Sequence, residues 1–228
     1  MAKSRKPKFP EWPAFEPMFS KPPGFTVPPY LELLNFGEGS EAAIDLLVSI
    51  IDNHANFDRE VIALLADFNW RPQLVGAVAV AMQCATPRSI KGIWKALDMG
   101  SWVSPQLAAV ASLVDNEFEA HARRRLEARC PIKPDRLTGT DWLLRHVAAG
   151  PESVDSHADK AMSALVGVCQ LLPRYDRWLQ PLLLCDDVQL MLKRDSDYGN
   201  AGEIAKLWLQ AFAIRSTTRT NAIIGLRA

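Results

Sequence analysis

The residues able to do chemistry are few and poorly spaced for it. The four histidines, His54, His121, His146 and His157, form neither an H-x-x-x-H nor an H-E-x-x-H pair, so they lack the one-face spacing with which a helix presents two imidazoles to zinc. Cys84, Cys130, Cys169 and Cys185 include no C-x-x-C pair, and three of them sit among apolar residues; they read as reduced thiols inside a core. Gly37-x-Gly39 precedes a helical pattern but lacks the third glycine and the feeding strand of a nucleotide loop. Asp195-x-Asp197-x-Gly199 has the opening spacing of a calcium loop, yet the fifth position is glycine and the twelfth is Lys206, neither of which supplies a ligand oxygen from its side chain. No G-x-S-x-G elbow is present. The sequence therefore predicts no catalytic centre, no metal and no cofactor.

Charge and tryptophan placement offer more. Between Glu32 and Asp67 stand eight carboxylates, Glu32, Glu38, Glu41, Asp45, Asp52, Asp58, Glu60 and Asp67, against the single base Arg59. They form either a solvated face or a surface that docks a basic partner, complementary charge accelerating encounter and excluding wrong partners. Arg123, Arg124, Arg125 and Arg129 make the opposite cluster. Successive helical residues point about a hundred degrees apart, so the first three cannot all face one ligand; a solvated helix balanced by Glu119 and Glu127 competes with a clamp for an acidic protein or a phosphate. Of seven tryptophans, Trp94, Trp178 and Trp208 sit at core spacing. Trp70 and Trp102 instead precede two similar helices at the inter-helix turn, where each either caps its own core or joins Arg71 as an interface anchor. The candidate partner-binding residues are thus Asp45, Asp52, Asp58, Glu60, Asp67, Trp70, Arg71 and Trp102.

Composition narrows the partner. The 228 residues are 48% hydrophobic and 23% charged, and 26 acids balance 26 bases. Phosphate neutralisation dominates nucleic-acid affinity, so zero net charge argues against DNA or RNA as the main partner, a local basic patch aside. No apolar run reaches the roughly eighteen residues of a membrane span, and the basic N-terminus has no apolar segment behind it. A cytoplasmic protein with no membrane association is expected.

The elements that would position these residues are helices. Trp70–Ala85, WRPQLVGAVAVAMQCA, has a near copy in WVSPQLAAVASLVD, and the shared Pro-Gln-Leu is offset by 33 residues. In the first copy Leu74, Val78, Ala81, Met82 and Ala85 fall on one side; in the second Leu107, Val110, Ala111, Val114 and Phe118 do so. Each is preceded by a shorter amphipathic stretch, around Leu64 and Ile93, so one repeat is two helices that need a stacked neighbour to bury their apolar face. Ser40, Thr86 and Ser104 are expected N-caps. Residues 1–39 hold eight of the sixteen prolines before position 31, interleaved with aromatics; they predict an extended arm docked on the helices, with a free partner-seeking peptide as the alternative. Residues 40–228 predict one all-α domain, interrupted near 130–137 by Pro131 and Pro134. No stretch alternates as a strand would.

The paired-helix repeat across residues 41–130 resembles the HEAT and armadillo class of α-solenoids, which implies stacked helical pairs and an extended binding surface. In general character, small, acidic-patched and all-helical, the chain also resembles the immunity proteins that accompany secreted polymorphic toxins in bacteria. That likeness implies binding and neutralising a cognate toxin through the acidic face. The alternatives are a HEAT-like DNA glycosylase, with Trp70, Trp102 and Asp98 cast in its roles, or a scaffold for a larger assembly.

Overall fold

The computed structural model describes residues 12–34, 36–128, 151–196 and 201–212. Every regular element among them is helical. The chain divides into two compact units, Met1–Gly92 and Ile93–Ala228, with the division inside a helix. The interruption expected at Pro131 and Pro134, with Arg129 and Cys130, and the Asp197–Gly199 segment lie outside the described residues.

The first unit opens with a 3-10 helix, Pro13–Met18, followed by α1 (Pro29–Leu34), α2 (Ser40–Asn53), α3 (Phe57–Ala66) and α4 (Trp70–Ala79). The proline-rich arm is thus not extended throughout. Pro13 sits at the helix start, where its missing N–H costs nothing, and the turn buries Phe15 and Met18 completely against α2 and α3. At about 1.5–3 kcal/mol for each large apolar side chain taken from water, those two residues contribute much of the arm's attachment.

Helix α4 is the centre of this unit, touching α1, α2 and α3. It is buried on all sides from Pro72 to Val80, not on the single stripe that the spacing suggests. Gly76 permits the closest approach: a Cβ there would stand 3.1 Å from Leu65 Cγ and 3.2 Å from Leu64 Cβ of α3. A π-helical turn, Val80–Cys84, continues α4. Its wider i→i+5 bonding rotates the end of the helix out of register, so Ala81 and Met82 are half-buried and Ala85 is exposed. Helix α5 (Pro87–Asp98) then begins on a reciprocal cap: Ser89 N–H donates to Thr86 Oγ1 at 3.1 Å, and Thr86 N–H to Ser89 Oγ at 2.8 Å. This is the capping-box arrangement with serine in the third helical position.

The other two expected caps move by one residue. Gly39 caps α2, whose first helical residue is the buried Ser40. Val103 precedes α6 (Ser104–Val114), and Ser104 uses its hydroxyl to donate to the Ser101 carbonyl at 2.6 Å.

In the second unit α6 is followed by α7 (Phe118–Glu127), α8 (Pro151–Gln170), α9 (Asp176–Leu183), α10 (Asp186–Ser196) and α11 (residues 201–212). The twenty-residue α8 is its axis, in contact with α6, α7, α9 and α10. Gly167 of α8 meets Gly202 of α11 so closely that a Cβ on Gly167 would collide with the Gly202 backbone. Phe118, expected on the stripe of α6, instead opens α7. Its ring is buried with Ala122 and Leu126, the i, i+4, i+8 face that seats α7. On α11 the buried face is Ala201, Ala205, Trp208 and Phe212, while Leu207 is 62% exposed.

Candidate interaction surfaces

The acidic run separates into two populations. Glu60 is 6% exposed and not at the surface. Its Oε2 accepts the Ala14 N–H of the arm at 2.9 Å, and its Oε1 stands 2.8 Å from His54 Nε2 at the end of α2. A group so placed ties three segments together and cannot face a partner, which removes it from the docking set. Glu32 Oε2 accepts the Gly39 N–H at 3.2 Å and so fixes the turn before α2. Asp67 accepts the Asn69 N–H at 2.8 Å, while its carbonyl takes Gln73 Nε2 at 2.7 Å. Asp58, half-buried, accepts from the Thr86 hydroxyl at 3.4 Å.

The second population lies on α2. Glu41, Asp45 and Asp52 are exposed there, at spacings of four and seven residues. Seven residues are close to two turns, about 10 Å along the axis, so Asp45 and Asp52 share one outward edge. The buried residues Ala43, Ile44, Leu47 and Ile51 hold the opposite side of that helix in the core. Two of the five expected acidic contacts therefore keep the exposure that docking needs.

Trp70 and Arg71 form one cluster with the arm. Ring centroids run Trp12–Phe19 at 4.6 Å, Phe19–Tyr30 at 5.9 Å and Tyr30–Trp70 at 5.8 Å. Arg71 closes the series, its guanidinium carbon 4.7 Å from the Trp70 centroid and 5.8 Å from that of Tyr30. Arg71 Nε donates to Tyr30 Oη at 3.0 Å. Asn69, capping α4, accepts the Arg71 N–H at 3.1 Å and lies 3.4 Å from Arg71 Nη1. Trp70 is half-buried and Arg71 exposed. Trp102, in the second unit, is 58% exposed, and Lys160 Nζ stands 4.3 Å above its ring.

The most connected polar cluster is invisible in the sequence. Asp115, with its side chain 7% exposed, accepts from Trp94 Nε1 at 2.6 Å, from the Glu117 N–H at 2.9 Å and from His121 Nδ1 at 2.7 Å. Burial pushes its carboxyl up, but these hydrogen bonds and the His121 charge outweigh burial and hold it below the ordinary aspartate value. Beside it, Arg125 grips Asp98 through two bonds, Nε–Oδ1 at 2.6 Å and Nη2–Oδ2 at 2.8 Å, with its guanidinium carbon 4.3 Å from the Trp94 centroid. Asp98, the carboxylate that a glycosylase would need, is thus engaged. Arg123 pairs with Glu127 at 2.7 Å and lies 6.0 Å from the Trp178 centroid. Arg123 and Arg125 are accordingly held by separate carboxylates. The only local signal is Asp115 two residues before Glu117, an aspartate–backbone turn at a helix start; Trp94 and His121 reach it through the fold.

Cys169 is buried, and burial together with the Glu119 charge pushes its thiol up to about 12. Among the described residues no group of three or more His, Cys, Asp or Glu side chains could hold a metal ion, and no helix is long and apolar enough to cross a membrane. Among the described residues, fold and surface define an all-helical protein in two compact units, with exposed acids on α2 and an arginine stacked on aromatic rings. No protein-family model, curated protein or solved structure matches the chain.

Proposed function

We propose that the protein is a non-enzymatic protein-binding module built of HEAT-like helical pairs, and that it acts as an immunity protein, docking a basic surface of a cognate toxin on the outward edge of α2. The observation that carries this reading is the sorting of the acidic run. Glu60 is buried and Glu32, Asp58 and Asp67 are half-buried, whereas Asp45 and Asp52 share an exposed edge. A helix face that keeps its carboxylates in water suits a partner that steers in by charge. Trp70 and Arg71, in the same unit, supply residue types that anchor interfaces. The contact of α3 with α4 is consistent with a helical pair as the repeating unit.

The test is recovery of the partner from the host lysate with the tagged protein, followed by affinity measurement against Asp45→Lys/Asp52→Lys. The reading expects a stoichiometric protein that is toxic when expressed alone, binding loss of at least about tenfold in the double variant, and an unchanged melt. Unaltered affinity would remove the α2 edge. Recovery of nucleic acid would support the glycosylase alternative, and a non-toxic component of a larger complex the scaffold.

A further inference from the structure

We infer that Arg71 is a preformed receptor for a single carboxylate, so that the partner of this unit presents an aspartate, a glutamate or a chain terminus at the Tyr30–Trp70 edge. An arginine ordinarily gives up conformational freedom on binding. An exposed guanidinium on a flexible stem must be ordered before its planar fork can pair with a carboxylate, and that ordering offsets much of the gain. Here the ordering is done. The guanidinium lies over two rings, 4.7 Å from Trp70 and 5.8 Å from Tyr30, and Nε is committed to Tyr30 Oη at 3.0 Å. Asn69 Oδ1 lies 3.4 Å from Nη1 and is itself fixed by capping α4. Three contacts of different kinds therefore set the plane.

What remains is the outer edge. Five N–H groups belong to a guanidinium; Nε–H and one on Nη1 are directed at Tyr30 and Asn69, which leaves Nη2 and the remaining Nη1 hydrogen. An end-on pair of that kind accepts a carboxylate through two parallel bonds. In the second unit, Arg123 and Arg125 each hold a carboxylate, Glu127 and Asp98. Arg71 is held by Tyr30, Trp70 and Asn69 without an ion pair to any described residue, although it is exposed and stands just beyond the most acidic stretch of the chain. A partner that places basic residues on Asp45 and Asp52 and one acid on Arg71 would meet charges of both signs, which fixes its register and rejects uniformly basic competitors.

This inference rests on the protein-binding reading for its use, but its chemistry is tested without any partner. The probe is acetate, titrated against chloride at constant ionic strength, with the arginine Nε–H resonances followed by NMR. Arg59 and Arg88, exposed in the same unit, serve as internal controls. The expected result is a saturable shift at Arg71 with an affinity at least about tenfold above any response at the two controls. Tyr30→Phe, which keeps the ring and removes the hydroxyl, should weaken acetate several-fold at Arg71. Shifts that are linear and equal at Arg71, Arg59 and Arg88, or a Tyr30→Phe titration identical to the parent, would overturn the proposal. Either result would leave the α2 edge untouched, because that edge is read from the lysine double variant.

Discussion

The same tripeptide, Pro-Gln-Leu, lies in the buried run of one helix in each unit, and its surroundings differ. In α4 Gln73 is 1% exposed and in α6 Gln106 is 4% exposed, while Leu74 and Leu107 are wholly buried. The repeat therefore reproduces a helix that is buried all round. It does not reproduce the tryptophan that precedes it. Trp70 leans on Tyr30 and carries Arg71, whereas Trp102 stands 58% exposed beneath Lys160. The buried residues of a repeat answer to a packing requirement that recurs, and the turn residues answer to whatever each unit brings beside them. Unit one brings an aromatic arm. Unit two brings a lysine from α8.

The strongest way to break the comparison is to charge both helices at the shared leucine. Leu74→Asp and Leu107→Asp each place an unpaired carboxylate where no water reaches. The expected loss is several kcal/mol in each case, enough to abolish a cooperative circular-dichroism melt in a domain of ordinary stability. If one variant melted like the parent, the two helices would not be equivalent in burial, and the repeat would be a coincidence of sequence.

A second pairing lies in the carboxylates. Each unit has one that gathers donors from distant segments: Glu60 takes Ala14 N–H and His54, and Asp115 takes Trp94, His121 and the Glu117 N–H. Glu60→Gln and Asp115→Asn should each cost about 1–3 kcal/mol, the penalty of leaving buried donors poorly paired. Asp115 adds a pH signature. Its pKa is lowered in the fold, so its charged form contributes stability that is fully present above the unfolded value of about 3.9 and is lost as pH falls through the lower folded value. Denaturant melts of parent and Asp115→Asn should therefore differ by a constant amount near neutrality and converge below about pH 4. A gap that persisted unchanged into acid would mean that the ionised carboxylate is not what the network stabilises.

These carboxylates also show where sequence reading stops. Helix α3 is legible because Val61, Leu64 and Leu65 recur at helical spacing, and α5 because Thr86-Pro87 starts it; periodicity and caps are local. Glu60 reads as one more acid in an acidic run, since nothing within a few residues reveals that Ala14, 46 positions earlier, needs an acceptor. Asp115 reads as the polar end of α6, since Trp94 reaches it across 21 residues. Burial of a charge is decided by long-range partners, so a count of carboxylates overstates the surface that can dock. The same limit hides the π-helical turn at Val80–Cys84, where local apolar spacing continues unbroken while the register does not.

The smallest effect sharpens the comparison at the two tryptophans. Trp70→Ala removes an edge-to-face contact with Tyr30 and the ring beneath Arg71. Aromatic pairs contribute about 0.5–1.5 kcal/mol beyond area and exposed cation–π contacts about 0.5–1, so a loss of about 1–2 kcal/mol is expected. Trp102→Ala removes the Lys160 contact from a ring already mostly in water and should stay within about 0.5 kcal/mol, as surface substitutions do. Chemical melts of the two variants side by side resolve that difference. Equal losses would show that the arm does not fix the Trp70 edge, and Arg71 would then lose the rigid support on which its affinity for a carboxylate depends. A larger loss at Trp102 would reverse the assignment altogether, making the exposed ring the structural one and the arm-packed ring dispensable.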